Sequence, residues 1–298
     1  MQSPTQAEQL SKNILRRWRQ DGGFADVVGG GYRPDATAWA VIALSAAQVA
    51  DEKVFSSRNH LATSQGEDGR VSLNSVHPQA HWPTSLASLA WAQSPSHLTH
   101  YQQALEFLLN TFGAHWEISP DSPVAHDTSI RGWSWISGTH SWVEPTALSV
   151  IALKQAGYKQ HERVLEAAEM LLDRQLPQGG WNYGNTSVFG QELQPMPWST
   201  GMALQALVGL IDRSRVLHSL EYLQGQAIRL KTPLSLGWAL LGLGAWGEYP
   251  IEAEELIQRC VAHQQILGGY TTTHLSLLLL AQILSTGLLN SQKEALSV

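Results

Sequence analysis

Two carboxylates stand where an acid could act on a buried ligand. Asp35 and Glu144 each open a run that is otherwise almost wholly apolar, PDATAWAVIAL and EPTALSVIAL. A carboxylate at the start of an apolar helix can accept free amide hydrogens and is favoured by the helix dipole. Where no amide takes it, burial alters the carboxyl's pKa, so that it can protonate or deprotonate a bound molecule. Asp127, which follows His126, and His81 in HPQAHW are further acid/base candidates, and Asp121 lies close by. The chain is also rich in aromatic residues near these positions: Trp82, Trp133, Trp135, Trp142, Tyr183 and Trp198, with His140 among them and His274 further on. Aromatic faces stabilise cations at close range and lie well against flat apolar chains. The expected ligand is therefore a hydrophobic small molecule.

These side chains need elements to hold them, and internal repeats supply the elements. ILRRWRQDGGF (14–24), EMLLDRQLPQGGW (169–181) and RCVAHQQILGGY (259–270) share a helix end, a glutamine, a glycine pair and an aromatic residue. HLATSQGEDGRV and FLLNTFGAHW are weaker copies, and a degenerate one falls around 222–229. Each is followed by a run that begins with Pro, Thr or Ser and continues apolar, such as HWPTSLASLAWA, MPWSTGMALQAL and YTTTHLSLLLLAQ. Proline costs nothing in a first helical turn, where its missing amide hydrogen would be unpaired anyway. A helix apolar all round must be buried all round, whereas segments such as Glu162–Asp173 carry a single apolar stripe opposite charge. Each unit thus reads as an outer amphipathic helix, a turn and an inner apolar helix. Six such hairpins give an all-α fold, an (α/α)6 toroid of two concentric layers in one domain over 1–298; an open solenoid is the competing arrangement. The third unit carries a long insertion, 114–142, and long loops inside compact domains are usually functional. Phe24, Trp116, Trp181 and Tyr270 read as the structural turn aromatics.

Composition narrows the partners. The chain is 43% hydrophobic and 15% charged, with formal charge −6 and a single cysteine. A charged fraction well below the usual ~25% fits extensive burial, and the acidic balance disfavours nucleic acid. MQSPTQAEQLSKNILRRWRQ has no apolar core of signal-peptide length, so the expectation is a cytoplasmic protein. The low charge leaves peripheral membrane contact open, and no protein partner is indicated. His77 and His81 have the i, i+4 spacing of a helical metal pair, but Pro78 opposes helix there. No metal or cofactor is assigned.

LLDRQLPQGGW resembles the QW repeat of squalene–hopene cyclases, and SWVEPTALSVIALKQAG resembles their inner helices; protein prenyltransferases share the repeat. The resemblance spans essentially the whole chain and implies the terpene-cyclase-like α/α toroid, with an isoprenoid or polycyclic lipid in a central aromatic cavity. It does not bring the chemistry with it. The Asp-x-Asp-Asp acid motif of protonating cyclases is absent, as is the Asp-Asp-x-x-Asp magnesium motif of ionising synthases. The prenyltransferase zinc site is not reproduced by Cys260, and Arg33, Arg131 and Lys231 are isolated cations. Three readings follow: an enzyme acting on an isoprenoid with Asp35 or Glu144 as acid, a non-catalytic lipid carrier, or a polysaccharide lyase or hydrolase on the same barrel.

Overall fold

A computed structural model describes residues 4–49, 51–119 and 122–288. Its helices pair in chain order: α1 (Gln6–Leu15) with α2 (Pro34–Ala46), α3 (Glu52–Ala62) with α4 (Pro83–Trp91), and α5 (Leu98–Asn110) with α6 (Val143–Gln155). Then come α7 (Glu162–Asp173) with α8 (Pro197–Leu207), α9 (Leu217–Ala227) with α10 (Pro233–Ala245), and α11 (Ala253–Ala262) with α13 (Thr272–Ile283), the short α12 (Gln264–Leu267) lying between these two. A two-residue hairpin, β1 (Ser187–Val188) and β2 (Gln191–Glu192), precedes α8. Four of the apolar runs begin their helix on the expected proline: Pro34, Pro83, Pro197 and Pro233. In α10 every residue except Leu234 is buried. In α7, by contrast, Val164, Ala167, Ala168 and Leu171 are buried while Leu165 and Glu169 face solvent. No helix among the described residues is long and apolar enough to cross a membrane.

The inner helices touch in a closed circuit, α2–α4–α6–α8–α10–α13, and α13 returns to α2. Unit six is also tied to unit one by hydrogen bonds: Thr272 Oγ1 donates to the Ala25 carbonyl at 2.6 Å and Arg17 Nη2 to that of Tyr270 at 2.8 Å. The α8–α10 contact depends on Gly201, where a Cβ would collide with the carbonyl oxygen of Trp238. Trp39 of α2 and Trp238 of α10 meet edge to face at 5.7 Å, although those helices are not neighbours in the circuit, so their rings fill its interior.

A threonine clamp fixes the register of four units. The amides of Phe24, Val71, Trp133 and Trp181 donate to Oγ1 of Thr37, Thr84, Thr146 and Thr200 at 2.8, 2.9, 2.9 and 3.0 Å. Each bond is worth on the order of 1 kcal/mol, and each ties the turn to the N-terminal end of its inner helix. The turn glutamines reach the next unit: Gln65 donates to the His100 carbonyl at 2.9 Å and Gln175 to Ser219 Oγ at 2.7 Å.

The clamp corrects two expectations. Trp133, not Trp116, is the turn aromatic of unit three. It is 2% exposed, its indole donates to the Leu108 carbonyl at 3.0 Å, and the Arg163 guanidinium lies 4.4 Å over its ring. Trp116 is 50% exposed. The insertion is also shorter than 114–142. The clamped pairs in units one, two and three are all 13 residues apart, so 134–142 has counterparts in the other units. The excursion leaves at Gly113 and returns at Gly132, whose carbonyl accepts from the Gly113 amide at 3.0 Å. In unit four the clamped residues are 19 apart, and the β-hairpin accounts for the extra length. The two added segments meet: Val124 bridges Val188, and the Phe189 amide donates to the Pro123 carbonyl at 2.8 Å.

Candidate functional site

Two residues before each clamp threonine stand Asp35, Trp82, Glu144 and Trp198. They share one register position, so they form a layer at the N-terminal end of consecutive inner helices α2, α4, α6 and α8. Glu144 lies in that layer between two tryptophans. Each tryptophan has an aromatic partner beyond it: Trp82 meets Trp135 at 5.3 Å and Trp198 meets Tyr183 at 5.5 Å, both edge to face.

The two carboxylates of the layer differ in kind. Asp35 is 8% exposed on its side chain, and both of its oxygens are held by Arg33, Nε at 2.8 Å and Nη2 at 2.7 Å. It caps no amide, and each of its oxygens accepts from the Arg33 guanidinium. Glu144, half-buried in the first turn of α6, has no hydrogen-bond or ion-pair partner among the described residues. Burial alone pushes its carboxyl up to about 7, against the pull of the helix dipole. It is therefore an acid that keeps its proton into the neutral range.

Beside this layer opens a cleft of about 690 Å³, walled by Trp116, Trp135, Ile136, His140, Trp142 and Tyr183. That volume falls within the ~300–1,000 Å³ typical of small-molecule sites. The cleft sits over the start of α6, because Trp142 immediately precedes that helix and the Val143 amide is tied to the Tyr183 carbonyl at 2.8 Å. His140 lies 4.3 Å from the Trp142 ring, and burial lowers its imidazole below the usual range. No carboxylate lines the cleft.

Of the expected binding residues, Trp82, Trp135, Trp142, Tyr183 and Trp198 are brought together; Trp133 and His274 are not. Trp133 is withdrawn into the core as described. His274 packs on Tyr270 at 6.0 Å on α13, which does not adjoin α6 in the helix circuit. Among the acid/base candidates, His81 is buried against Phe107 at 5.3 Å, and burial lowers its imidazole. Asp127 closes a local turn: its Oδ1 accepts from the Ser129 amide at 2.8 Å and hydroxyl at 2.7 Å, which holds its carboxyl below the ordinary value. It is a structural acceptor rather than a proton donor. Asp121 lies outside the described residues. The HPQAHW segment is turn rather than helix, and no cluster of three or more metal-ligating side chains occurs among the described residues. Cys260 is buried beside the Tyr270 hydroxyl, and burial raises its thiol to about 11. Arg131 is engaged by Glu166 at 2.7 Å.

Sequence reasoning missed Trp116 as a cleft wall and Arg174 altogether. The Arg174 guanidinium, 3% exposed, lies behind the cleft in a smaller chamber with His126, and it reads in the sequence only as the last residue before a repeat turn. No family model matches the sequence, and a search of curated proteins returns no relative. Solved structures do match. A protein from Actinoplanes superposes with TM-score 0.60 at 17% identity, over 94% of this chain and 98% of that one. The type II terpene cyclase MstE from Scytonema superposes with TM-score 0.52 at 17% identity, over 93% of this chain and 81% of the enzyme. A variant of MstE in complex with its substrate geranylgeranyl dihydroxybenzoate matches equally, TM-score 0.52 at 15% identity, over the same shares of the two chains. The fold is shared with a type II terpene cyclase. At these identities the likeness extends to the fold and leaves the chemistry to the residues.

Proposed function

We propose that the protein is a terpene-cyclase-like enzyme that takes an isoprenoid chain from the aromatic cleft onto the adjoining Trp82–Glu144–Trp198 layer, with Glu144, which does not line the cleft itself, as the proton donor. The observation that carries this reading is the partnerless, neutral-range carboxyl of Glu144, set in one layer between Trp82 and Trp198. The shared fold supports it. The step is a protonation of an alkene. The O–H bond of Glu144 breaks, the alkene π pair forms a C–H bond, and a carbocation is left on the neighbouring carbon. Further alkenes attack that cation to close rings, loss of a proton from carbon to water ends the sequence, and solvent returns a proton to the Glu144 carboxylate, so the product has the composition of the substrate. Faces of Trp135, Trp142 and Tyr183 would stabilise the cation.

The test is incubation of the purified protein with geranylgeranyl dihydroxybenzoate, followed by liquid chromatography with mass detection. The expected product has unchanged mass and altered retention. It is absent with Glu144→Gln and present with Asp35→Asn. Calorimetric binding without turnover by the native protein would make it a carrier, and absence of both binding and turnover would sink the isoprenoid reading. The carbohydrate reading requires paired carboxylates at an open groove, and the other carboxylate of the layer, Asp35, is held on both oxygens by Arg33.

A further inference from the structure

The Gly113–Gly132 excursion, which meets the hairpin before α8, walls a chamber of about 120 Å³ behind the aromatic cleft, with Asn185 from the segment leading into that hairpin. Ala114, Trp116 and His140 belong to the walls of both spaces, so the chamber and the cleft adjoin. A single water needs only ~10–15 Å³, so the chamber has room for a polar group of several atoms. Its polar wall consists of Arg174, His126, His140, Thr128, Ser141 and Asn185, and no carboxylate lines it.

Two of these side chains are buried without adequate partners. A guanidinium offers five N–H donors. Arg174 makes one short bond, Nη1 to the Gly184 carbonyl at 2.8 Å. Its other contacts are at the limit of bonding: Nε to the Asp173 carboxylate at 3.4 Å and Nη2 to the Asp127 carbonyl at 3.5 Å. His126 is 5% exposed, its Nδ1 is sealed without a partner, and among the described residues neither ring nitrogen is hydrogen-bonded. Burial, reinforced by Arg174, lowers its imidazole to about 4, so at neutral pH it offers one N–H and no charge. Arg17 occupies the equivalent place in unit one, five residues before the first turn glycine as Arg174 is in unit four. There both terminal nitrogens are bonded to carbonyls, of Asn13 and Tyr270. Arg17 leaves only its Nε without a partner, whereas both Nε and Nη2 of Arg174 sit at the limit of bonding while the side chain lines a cavity.

We propose that this chamber receives the oxyanion head group, carboxylate or phosphate, of an amphiphile whose apolar body lies in the aromatic cleft. The body of that ligand rests on the function proposed above; the head site does not. The Arg174 fork supplies paired charge-assisted bonds to the head, and the His126 N–H adds a third donor.

Titration calorimetry with dodecyl phosphate, dodecanoate and dodecanol, each below its micellar concentration, tests the assignment. The two anions should bind at least tenfold more tightly than the alcohol, and the tighter of them names the head class. Arg174→Gln retains a donor for the Gly184 carbonyl and should erase that preference while leaving dodecanol binding unchanged. His126→Phe should cut the preference at least threefold, and it serves as the second variant if melting shows that Arg174→Gln does not fold. Equal affinity for all three heads, or an anion preference that survives both substitutions, overturns the head site and spares the cleft. If no chain binds yet inorganic phosphate shifts the His126 imidazole resonances in the NMR spectrum, the head site stands and the isoprenoid reading fails. Silence in both measurements overturns the proposal.

Discussion

Asp35 and Glu144 occupy the same place in two copies of one repeat, each two residues before a clamp threonine and each at the head of a buried helix. Their surroundings give them opposite roles. Two residues before Asp35 stands Arg33, which grips both carboxylate oxygens. Two residues before Glu144 stands Trp142, which can offer its carboxylate no charge and instead walls the cleft. One position is a closed ion pair in an unembellished unit. The other is a lone acid in the unit that carries the excursion. Position in the fold makes a carboxylate a candidate, and the neighbour at i−2 decides what it does.

The largest effect should come from removing the acid. Glu144→Gln is expected to lower turnover of geranylgeranyl dihydroxybenzoate by about 10²–10⁴-fold, the range general acids contribute, while Asp35→Asn stays within threefold of native. Comparable losses in both would erase the distinction between the two sites. The contrast can also be transplanted. Trp142→Arg places a guanidinium at the i−2 position of Glu144 and should suppress turnover about as far as Glu144→Gln does, by returning the carboxyl to its ionised form at neutral pH. Retained turnover in Trp142→Arg would show that the i−2 residue is not what sets the acid.

The second contrast lies within unit three. Trp133→Ala empties a buried, hydrogen-bonded site and should cost about 3–5 kcal/mol of stability. Trp116→Ala removes a half-exposed ring and should cost less than about 1 kcal/mol while weakening ligand binding. Chemical denaturation of both variants checks the pair, and a reversed order would restore Trp116 as the structural aromatic. Smaller again is Arg33→Leu, which strands the buried Asp35 carboxylate. Because the arginine is itself 39% exposed and partly screened, the expected loss is about 1–2 kcal/mol.

The fold was legible because its signals are periodic and redundant. Proline-led apolar runs can only be inner helices, and the glycine-aromatic turns recur often enough to count the units. The aromatic wall was legible in part, since tryptophans outside the turn consensus are cheap to notice. The Trp116/Trp133 exchange was not, because a degenerate copy of the motif at Gly113 resembles a turn more than the real one at Gly132-Trp133. A sharper signal was present in the 13-residue step from Phe24 to Thr37 and from Val71 to Thr84, which points from Thr146 back to Trp133. The fates of Asp35 and Glu144 were also written locally, as RPD against WVE. Arg174 could not be found this way. Its significance depends on two insertions meeting across the fold, and no spacing along the chain encodes that encounter.

The proton on Glu144 also leaves a mark on stability, and its sign separates the two carboxylates without any substrate. The folded protein holds this proton up to about 7, whereas the unfolded chain releases it near 4.5. Between those values the folded state binds more protons, so this residue's contribution to stability falls as pH rises through the window. His126 works the other way: its folded imidazole titrates at about 4 instead of 6.5, so its contribution grows as pH rises from about 4 to 6.5. The native profile mixes the two, and only the difference between native protein and variant isolates Glu144. Glu144→Gln, neutral at every pH, should match native stability near pH 4.5 and exceed it at pH 8. At 1.36 kcal/mol per pKa unit, discounted for partial exposure, the gain is about 1–2 kcal/mol. Calorimetric melting at the two pH values reads it. An offset that is the same at both would mean that the carboxyl ionises like any surface glutamate, and the acid assigned to unit three would have no more claim to a proton than its ion-paired counterpart in unit one.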